Sequence, residues 1–312
     1  MSRPLALIAA LLLLLPAPAG AIDCSKAESS AEKLICANPA LTQLDAVLNK
    51  DYPAYAARQG KDAAKRSQAD WLKQRDACAD AACLETVYTR RIREITGAEK
   101  FFIFRGAAPE WDALVSVLSC GEDRFSGCQG PATVDIFAKD SGESLQRIRM
   151  PQMFVELDAK GETTVNKVQI YGEHNSCLVA DDFNFDGHTD LALRNGNEGA
   201  YGGPSYDVYL YAPGKKRFVR NQALTALASE NLGLFDVDPK DNTLSTFNKS
   251  GCCWHIYSTY QIKNNAPVLV REVTEDATAF GKDGDTREVV ITDKKLVNGK
   301  WRTTVTRAPI EE

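Results

Sequence analysis

The spacing of apolar residues along the chain changes once, near residue 97. Before that point apolar side chains recur every three or four positions, as they do along one face of an amphipathic helix. One such stripe consists of Leu41, Leu44, Leu48, Tyr52 and Tyr55, and a second runs through Leu84, Val87, Tyr88, Ile92 and Ile95. The pattern predicts a small antiparallel helical bundle over residues 22–97.

Breaks in the first region divide it into helices. Asn38-Pro39 and Gln59-Gly60 interrupt the periodic pattern, and Thr96-Gly97 ends it, because proline and glycine are poor residues for a helix interior. The charged stretch from Lys61 to Asp76 carries Trp71 and Leu72 and is interpreted as a further helix with one apolar stripe. Arg75 and Asp76 are expected to form an internal salt bridge.

From Phe101 onward the pattern is that of strands. Short runs of β-branched and aromatic residues are separated by Gly, Asn, Asp and Pro, which is typical of strands joined by turns. Fourteen or so strands and a short helix near Leu224 to Ala228 are expected. The fold class is therefore α+β in two domains, with residues 98–312 forming an all-β domain that is either propeller-like or barrel-like.

The first 21 residues have the features of a signal peptide. Arg3 is followed by an apolar run from Leu5 to Leu15 and by the small residues Ala19-Gly20-Ala21, the pattern of an export signal and its cleavage site. Asp23 directly precedes the first cysteine, where a lipoprotein signal has a small residue. We therefore expect a soluble, exported, periplasmic protein that is not inserted in the membrane.

Nine cysteines follow the signal region, which favours an oxidising compartment. Those of the helical region allow three pairings that spacing does not distinguish, and a zinc site is the less favoured alternative. In the β region Cys120 is expected to bond Cys128, and Cys177 to bond Cys252 or Cys253. The full set is Cys24, Cys36, Cys78, Cys83, Cys120, Cys128, Cys177, Cys252 and Cys253.

A nine-residue stretch beginning at Asp182 has the pattern of a calcium loop. Its oxygen-bearing side chains stand at positions 1, 3, 5 and 9 with glycine at 6, as in the first part of an EF-hand loop. The predicted ligands are Asp182, Asn184, Asp186 and Asp190 with the carbonyl of His188. Position 12 is Leu193 rather than Glu, and a strand follows, so Ca²⁺ is predicted to have a structural role. The alternative is an Asn/Asp/Gly-rich turn without an ion.

Composition and motifs limit the function classes. The net charge of −5 and the lack of a basic tract argue against a nucleic-acid partner. No Gly-x-Ser-x-Gly, His-Glu-x-x-His or phosphate-binding glycine loop occurs, and His174, His188 and His255 have no local catalytic partner. We therefore expect a binding protein without catalytic residues rather than an enzyme.

Motifs in the helical region resemble those of the lysozyme-inhibitor LprI N-terminal domain family. They are Asp23-Cys24-Ser25-Lys26-Ala27, Glu32-Lys33-Leu34-Ile35-Cys36, Leu44-Asp45 with Tyr52, Trp71 to Cys78, Cys83-Leu84, Tyr88 and Arg91-Ile92. The resemblance implies lysozyme inhibition. A disulfide-linked bundle that only docks or spaces the β domain is the alternative role.

The β region resembles a second family. The calcium-loop pattern, a glycine-rich loop, Ser205 to Tyr211, and Gly251-Cys252-Cys253-Trp254 with Tyr260 are similar to calcium-binding, propeller-like periplasmic proteins typified by a Xanthomonas type IV secretion immunity protein. The resemblance implies that a protruding loop blocks a peptidoglycan hydrolase. The loop residues with this expected role are Gly203, Ser205, Tyr206 and Tyr201.

The combined hypothesis is a periplasmic inhibitor of a lysozyme-like peptidoglycan hydrolase, either a toxin effector of interbacterial competition or a host lysozyme. Its contact loop is expected to be supported by the calcium site, since a loop fixed before binding loses less entropy on binding. The alternative is a calcium-dependent module that binds cell-wall glycan without inhibiting an enzyme. The sequence does not distinguish between lysozyme classes.

Overall fold

The computed structural model describes residues 22–120, 127–158, 160–169, 175–280 and 287–310, so the predicted signal peptide lies outside the described residues. After a 3-10 turn at Cys24–Lys26, four helices form the N-terminal domain. They are α1 (Ser30–Cys36), α2 (Pro39–Gln59), α3 (Lys61–Asp76) and α4 (Ala81–Thr96). The expected breaks are confirmed: Asn38 caps α2 by accepting a hydrogen bond from the Ala40 amide at 3.0 Å, and Gly97 ends α4 with a φ of 73°.

Two disulfides and a buried arginine fix the helical domain. Of the three pairings open from the sequence, the structure has Cys24–Cys36 and Cys78–Cys83. The expected internal ion pair is present, with Arg75 Nε donating to Asp76 at 2.8 Å. Arg75 also reaches Glu32 of α1 at 3.3 Å, so it connects two helices as well as two neighbours in sequence.

The β domain contains three antiparallel sheets in the described part of the chain. Sheet 1 has the order β1 (Lys100–Phe104), β2 (Trp111–Val117), β3 (Gly127–Ala138) and β4 (Ser144–Glu156). Sheet 2 is formed by β5 (Leu178–Val179), β6 (Leu191–Gly196), β7 (Ser205–Ala212) and β8 (Arg217–Arg220), and α5 (Gln222–Glu230) follows. Sheet 3 is formed by β9 (Asp236–Asp238), β10 (Thr243–Ser250), β11 (Trp254–Lys263), β12 (Ala266–Phe280), β13 (Arg287–Val297) and β14 (Lys300–Pro309).

The α+β class with a helical bundle followed by antiparallel sheets is confirmed. In each sheet every strand pairs with its neighbour in sequence. Sheets 1 and 2 share one apolar core, as in a sandwich. A propeller-like arrangement stays a prediction.

Alternation along the strands explains how the layers stack. In β2, Leu114 packs into the core of the helical domain, whereas its neighbours Ala113 and Val115 face sheet 2. In β6, Leu191 and Leu193 face sheet 1, and the residue between them packs toward α5 and sheet 3. Successive side chains of a strand point to opposite faces, so sheets 1 and 2 are each covered on both sides.

The contact between α2 and sheet 1 also has a polar part. Arg147 of β4 donates through Nε to Asp135 at 2.7 Å and through Nη2 to Asp51 of α2 at 2.8 Å. Gln43 of α2 donates to Asp112 of β2 at 3.0 Å. These buried pairs, together with the shared apolar cluster, hold the helical bundle against the β domain.

The disulfides of the β domain correct one prediction. Cys120–Cys128 is present as expected, but Cys252 bonds its neighbour Cys253, and Cys177 is a buried free thiol. The predicted bond from Cys177 to either of them is wrong, because Cys177 lies in the core between sheets 1 and 2. The Cys252–Cys253 turn belongs to sheet 3, which packs on the opposite face of sheet 2.

Candidate functional site

The connection between β6 and β7 contains a compact segment, Gly199–Gly203, which we call the glycine loop. Its backbone is closed by hydrogen bonds from the Gly199 amide to the Gly203 carbonyl and from the Gly203 amide to the Ala200 carbonyl, each at 3.0 Å. A third bond, from the Ala200 amide to the Asn231 carbonyl at 3.0 Å, ties the loop to the segment after α5. A Cβ at Gly199 would lie 2.8 Å from the Gly203 carbonyl oxygen, so the close backbone approach requires glycine there.

Tyr201 is the most exposed large side chain of this loop. Its side chain is 64% exposed, and its backbone has a φ of 55° in the left-handed region. The Tyr201 hydroxyl accepts a hydrogen bond from the Gly251 amide at 2.9 Å, and the Lys249 ammonium lies 5.1 Å from the ring centroid. The ring is therefore held in place by the β10–β11 turn while one side remains open to solvent.

The Cys252–Cys253 disulfide lies in that same turn. It directly follows Gly251, whose amide holds the Tyr201 hydroxyl. The support for Tyr201 thus comes from a segment about fifty positions later in the chain.

A groove of about 600 Å³ lies beside the glycine loop. Arg194 of β6 is 2% exposed at its floor. Its guanidinium lies 3.1 Å from a Glu156 carboxylate oxygen and donates to Asn197 at 2.6 Å, and its Cζ is 4.3 Å from the Phe154 ring centroid. The groove therefore combines a fixed cation, a carboxylate and aromatic surface beside the exposed Tyr201 ring.

Tyr206 and Ser205 do not contribute to this exposed surface. Tyr206 is fully buried, and its hydroxyl donates to the Ser176 carbonyl at 3.0 Å; burial raises the pKa of that hydroxyl. Ser205 is also fully buried, donating to Asn195 at 2.6 Å and accepting from the Glu198 amide. The expected direct contact by these two side chains is therefore wrong in this structure, because both point into the domain as the first residues of β7. Gly203 and Tyr201 do line the groove.

The predicted calcium loop is a tightly wound turn. Asp182 accepts from the amides of Asp186 at 3.0 Å and Gly187 at 2.8 Å, so residues at positions 5 and 6 are folded back onto position 1. Phe185 and Gly187 have left-handed φ values of 61° and 85°. The Asn184 amide group donates to Asp186 and to Asn265 in the β11–β12 turn.

The Asp190 side chain joins the predicted calcium loop to β7. It is fully buried, and its two carboxylate oxygens accept from the amides of Phe183 at 2.9 Å and Tyr211 at 2.8 Å. Burial, with smaller contributions from Asp186 and Asp182, raises the pKa of Asp190 to about 7. Within the described ranges none of these three carboxylates lies within 4 Å of a lysine or arginine.

The donor atoms of this turn suit Ca²⁺ in their chemistry, since they are carboxylate, amide and carbonyl oxygens. Over the described parts of the chain, however, no three acidic, histidine or cysteine side chains converge as metal ligands. The His188 ring lies 5.7 Å from that of Tyr211. Ca²⁺ binding at this turn stays a prediction.

The calcium loop and the glycine loop lie at opposite ends of the β6–β7 hairpin. Asp190 immediately precedes β6, and the glycine loop follows its last residue, Gly196. Six residues at about 3.3 Å each separate the two by roughly 20 Å. An ion at the first loop would therefore act on the second only through the hairpin.

The two histidines of the described residues, His188 and His255, lie in different parts of the β domain. His255 of β11 has its Nδ1 3.8 Å from Glu275 of β12, and His188 lies in the calcium loop. His174 lies outside the described residues.

The helical domain matches a known family. Residues 24–95 match the family model described as lysozyme inhibitor LprI. The N-terminal domain is thus similar to the LprI family over residues 24–95.

Curated relatives are similar to part of this chain. The lipoproteins LprI of Mycobacterium bovis and Mycobacterium tuberculosis are each 28% identical to this chain over 88 residues. The match covers 27% of this chain and 45% of the relatives, so this chain spans less than half of their length. No helix among the described residues is long and apolar enough to cross a membrane.

A solved structure extends the likeness into the β domain. It is described as a Xanthomonas type IV secretion system related protein, with a TM-score of 0.50, 27% sequence identity, and coverage of 63% of this chain and 90% of that one. Because 63% of the chain is far more than the helical domain alone, the likeness necessarily includes strands. The resemblances seen in the sequence are thereby confirmed for both regions.

Three groups at the site were not predicted from the sequence. Arg194, Lys249 and Gly251 all contact the groove or Tyr201. The sequence feature that could have indicated Arg194 as a site residue is its charge directly after the apolar run Leu191-Ala192-Leu193. Nothing local connects residues 249–251 to Tyr201, because that contact depends on how sheet 3 packs.

Proposed function

We propose that this protein is a periplasmic inhibitor of a lysozyme-like peptidoglycan hydrolase. The observation that carries the proposal is the LprI match over residues 24–95, whose family description names lysozyme inhibition. The type IV secretion relation of the structurally similar Xanthomonas protein fits a target that is a toxin effector, so protection of the producing cell is the proposed biological role.

The glycine loop is the proposed contact surface. Tyr201 offers an exposed aromatic ring on a backbone that is already closed by hydrogen bonds, so little ordering entropy is lost when a partner binds. Aromatic residues at such positions are frequent binding hot spots. In this proposal Tyr201 makes the main contact, and Gly203 shapes the backbone beneath it.

The helical domain offers a competing surface. A groove of about 770 Å³ lies between α2 and α4 and is lined by Arg90 and Arg93 among others. If the LprI domain itself held the enzyme, this groove would be the place for the contact. We favour the glycine loop because of the shape of the proposed target. The substrate cleft of a lysozyme-like enzyme accepts a polysaccharide between carboxylates, and such a cleft can also accept a protruding aromatic ring.

Ca²⁺ is proposed to stabilise the turn around Asp182. The support is the order of the oxygen donors and the three carboxylates without a basic partner within the described residues. When bound, the ion would offset the repulsion between these carboxylates. Asp182, Asn184, Asp186, Asp190 and the His188 carbonyl would hold it.

Enzyme assays test the proposal. The chain from Ile22 is mixed with lysozymes of several classes and with candidate toxin hydrolases, and lysis of a cell-wall suspension is followed by turbidity. Inhibition at near-stoichiometric ratios is expected for at least one enzyme, and loss of that inhibition in Tyr201→Ala but not in Arg90→Ala would locate the contact on the β domain. Inhibition of none of the enzymes would refute the proposal.

A soluble oligosaccharide substrate separates inhibition from wall binding. An inhibitor that occupies the enzyme slows hydrolysis of the oligosaccharide and of the wall alike. A glycan-binding module without inhibitory action would protect only the wall, and it would sediment with peptidoglycan in the absence of any enzyme. That second result would support the alternative function.

A further inference from the structure

The side chain of Asp45 in α2 is a buried carboxylate that is surrounded by neutral donors. Its Oδ2 accepts from the Ile22 backbone nitrogen at 2.8 Å and from the Asn49 side-chain amide at 2.9 Å. Its Oδ1 accepts from the Tyr88 hydroxyl at 2.9 Å. Asp45 is 4% exposed, and within the described ranges no lysine or arginine nitrogen lies within 4 Å of its carboxylate.

The hydrogen bonds indicate that this carboxyl group is ionised. A protonated carboxyl group needs an acceptor for its own proton, whereas the Ile22 N–H and the Asn49 Nδ2 can only donate. Asn49 Nδ2 also donates to the Asp45 carbonyl at 2.8 Å, which fixes the orientation of the amide. Burial nevertheless raises the pKa of Asp45, and the lowering by the Ile22 N–H does not offset it. A buried charge of this kind is costly unless a cation compensates it.

The Ile22 nitrogen becomes a cation when the predicted export signal is removed. Ala19-Gly20-Ala21 is the expected cleavage site, so water adds across the Ala21–Ile22 amide bond. Ala21 then carries the new carboxylate and leaves with the signal, whereas Ile22 keeps an α-ammonium group. An α-amino group has an ordinary pKa of about 8, and a carboxylate in contact with it favours the charged form further.

We propose that cleavage of the Ala21–Ile22 bond creates an ion pair between the α-ammonium group of Ile22 and the buried carboxylate of Asp45. The proposal rests on the predicted export signal and is independent of the proposed inhibition. Hydrogen bonds between charged groups are roughly twice as strong as neutral ones. The helical domain therefore reaches its full stability only in the processed chain, when the Ile22 nitrogen is no longer a neutral amide.

The neighbouring chain holds Ile22 in position for this ion pair. The Ile22 side chain packs against the apolar core of the helical domain, and the Cys24–Cys36 disulfide ties the next turn to α1. Consecutive Cα atoms are about 3.8 Å apart. A chain that began at Ala21 would therefore carry its ammonium group farther along the backbone and leave the neutral Ile22 N–H beside the carboxylate. The ion pair thus requires cleavage at the Ala21–Ile22 bond.

Two chains that differ by one residue test the ion pair. They begin at Ile22 and at Ala21, are released from an amino-terminal fusion by a specific protease, and are unfolded in urea at pH 7. The unfolding equilibrium constant of the chain from Ile22 should be about tenfold smaller, which is about 1.4 kcal/mol. Asp45→Asn should make the two chains equally stable. Asp23→Asn is the matched control: Asp23 is an exposed carboxylate paired with Lys26 at 2.9 Å, so the tenfold difference should persist.

The exported protein provides a second test. When the full chain is produced with its own signal in a bacterial host, mass spectrometry of the processed protein should show a free amine at Ile22. Acetylation of that amine in denaturant at near-neutral pH, followed by refolding, should lower the stability as the additional Ala21 does, and this test needs no core substitution if Asp45→Asn fails to fold. Equal stability of the chains from Ile22 and Ala21, a difference that persists in Asp45→Asn, acetylation without effect, or a processed chain that begins elsewhere would each overturn the proposal.

Discussion

The replacement of Tyr201 by alanine should separate binding from folding. The ring is 64% exposed in the free protein. If a side chain of roughly 200 Å² loses that exposed part to a partner at about 25 cal/mol per Å², the contact contributes about 3 kcal/mol. Truncation of tyrosine hot spots commonly costs about 2 kcal/mol or more. We therefore expect the inhibition constant to rise about 30- to 150-fold, at about 1.4 kcal/mol per tenfold.

The same substitution should have a small effect on stability. The Tyr201 hydroxyl accepts a hydrogen bond from the Gly251 amide, and such a bond contributes on the order of 1 kcal/mol. Tyr201→Phe removes that bond and keeps the ring. It should therefore inhibit nearly as well as the parent, because the contact area of the ring is kept. A large loss of inhibition would show instead that the hydroxyl bond to the β10–β11 turn is needed to hold the ring in its binding position.

Tyr206→Phe is the matched control at the neighbouring tyrosine. Its buried hydroxyl donates to the Ser176 carbonyl, so the variant should lose about 1 kcal/mol of folding free energy and inhibit as the parent does. Inhibition constants would be measured with the oligosaccharide assay and unfolding free energies with urea. If Tyr201→Ala inhibits like the parent while Tyr206→Phe is weakened, the surface is misassigned and the loop must rearrange on binding.

Three further predictions concern the ion, the free thiol and the interface between domains. Ca²⁺ at a hundredfold excess over its dissociation constant should add about 2.7 kcal/mol to the free energy of unfolding; Asp182→Asn should abolish that gain in calorimetry, and a chelator without effect on the parent would rule out the site. Cys177, whose pKa is raised to about 12 by burial, should resist a thiol reagent at pH 8 in the native protein and react as a single thiol per chain in denaturant; rapid native labelling would contradict its burial. Arg147→Ala leaves Asp135 and Asp51 without their main partner and should cost about 3–5 kcal/mol in urea unfolding; a loss below about 1 kcal/mol would show that the pair is effectively solvated.

The architecture was largely readable from the sequence because each element carries its own local signal. The 3–4 spacing, the Asn38-Pro39 break and Gly97 predict the helices, and all are found there. The nine-residue turn at Asp182 has the backbone its glycine predicted. These features depend on neighbours in sequence, which is why they could be predicted.

The errors all involve contacts between distant segments. Tyr206 is buried because sheet 2 is covered on both faces, so that Ser205 and Tyr206, which point to opposite faces of β7, both lie inside the domain. Cys177 and Cys252 are both near turns in the sequence, yet they lie on opposite sides of sheet 2. The contact from Tyr201 to Gly251 joins two sheets and has no local signal at all.

The separation of the calcium loop from the glycine loop limits the effect that bound Ca²⁺ could have on binding of the enzyme. The glycine loop is held by its own backbone bonds, by Asn231 and by the β10–β11 turn, none of which belongs to the calcium loop. The calcium loop instead touches the β11–β12 turn through Asn184 and β7 through Asp190. Because the supports of the two loops are distinct, removal of Ca²⁺ should lower the unfolding free energy of the domain while the inhibition constant stays nearly the same at temperatures where the protein remains folded. A parallel loss of inhibition and of stability would instead mean that the β6–β7 hairpin transmits strain over its whole length.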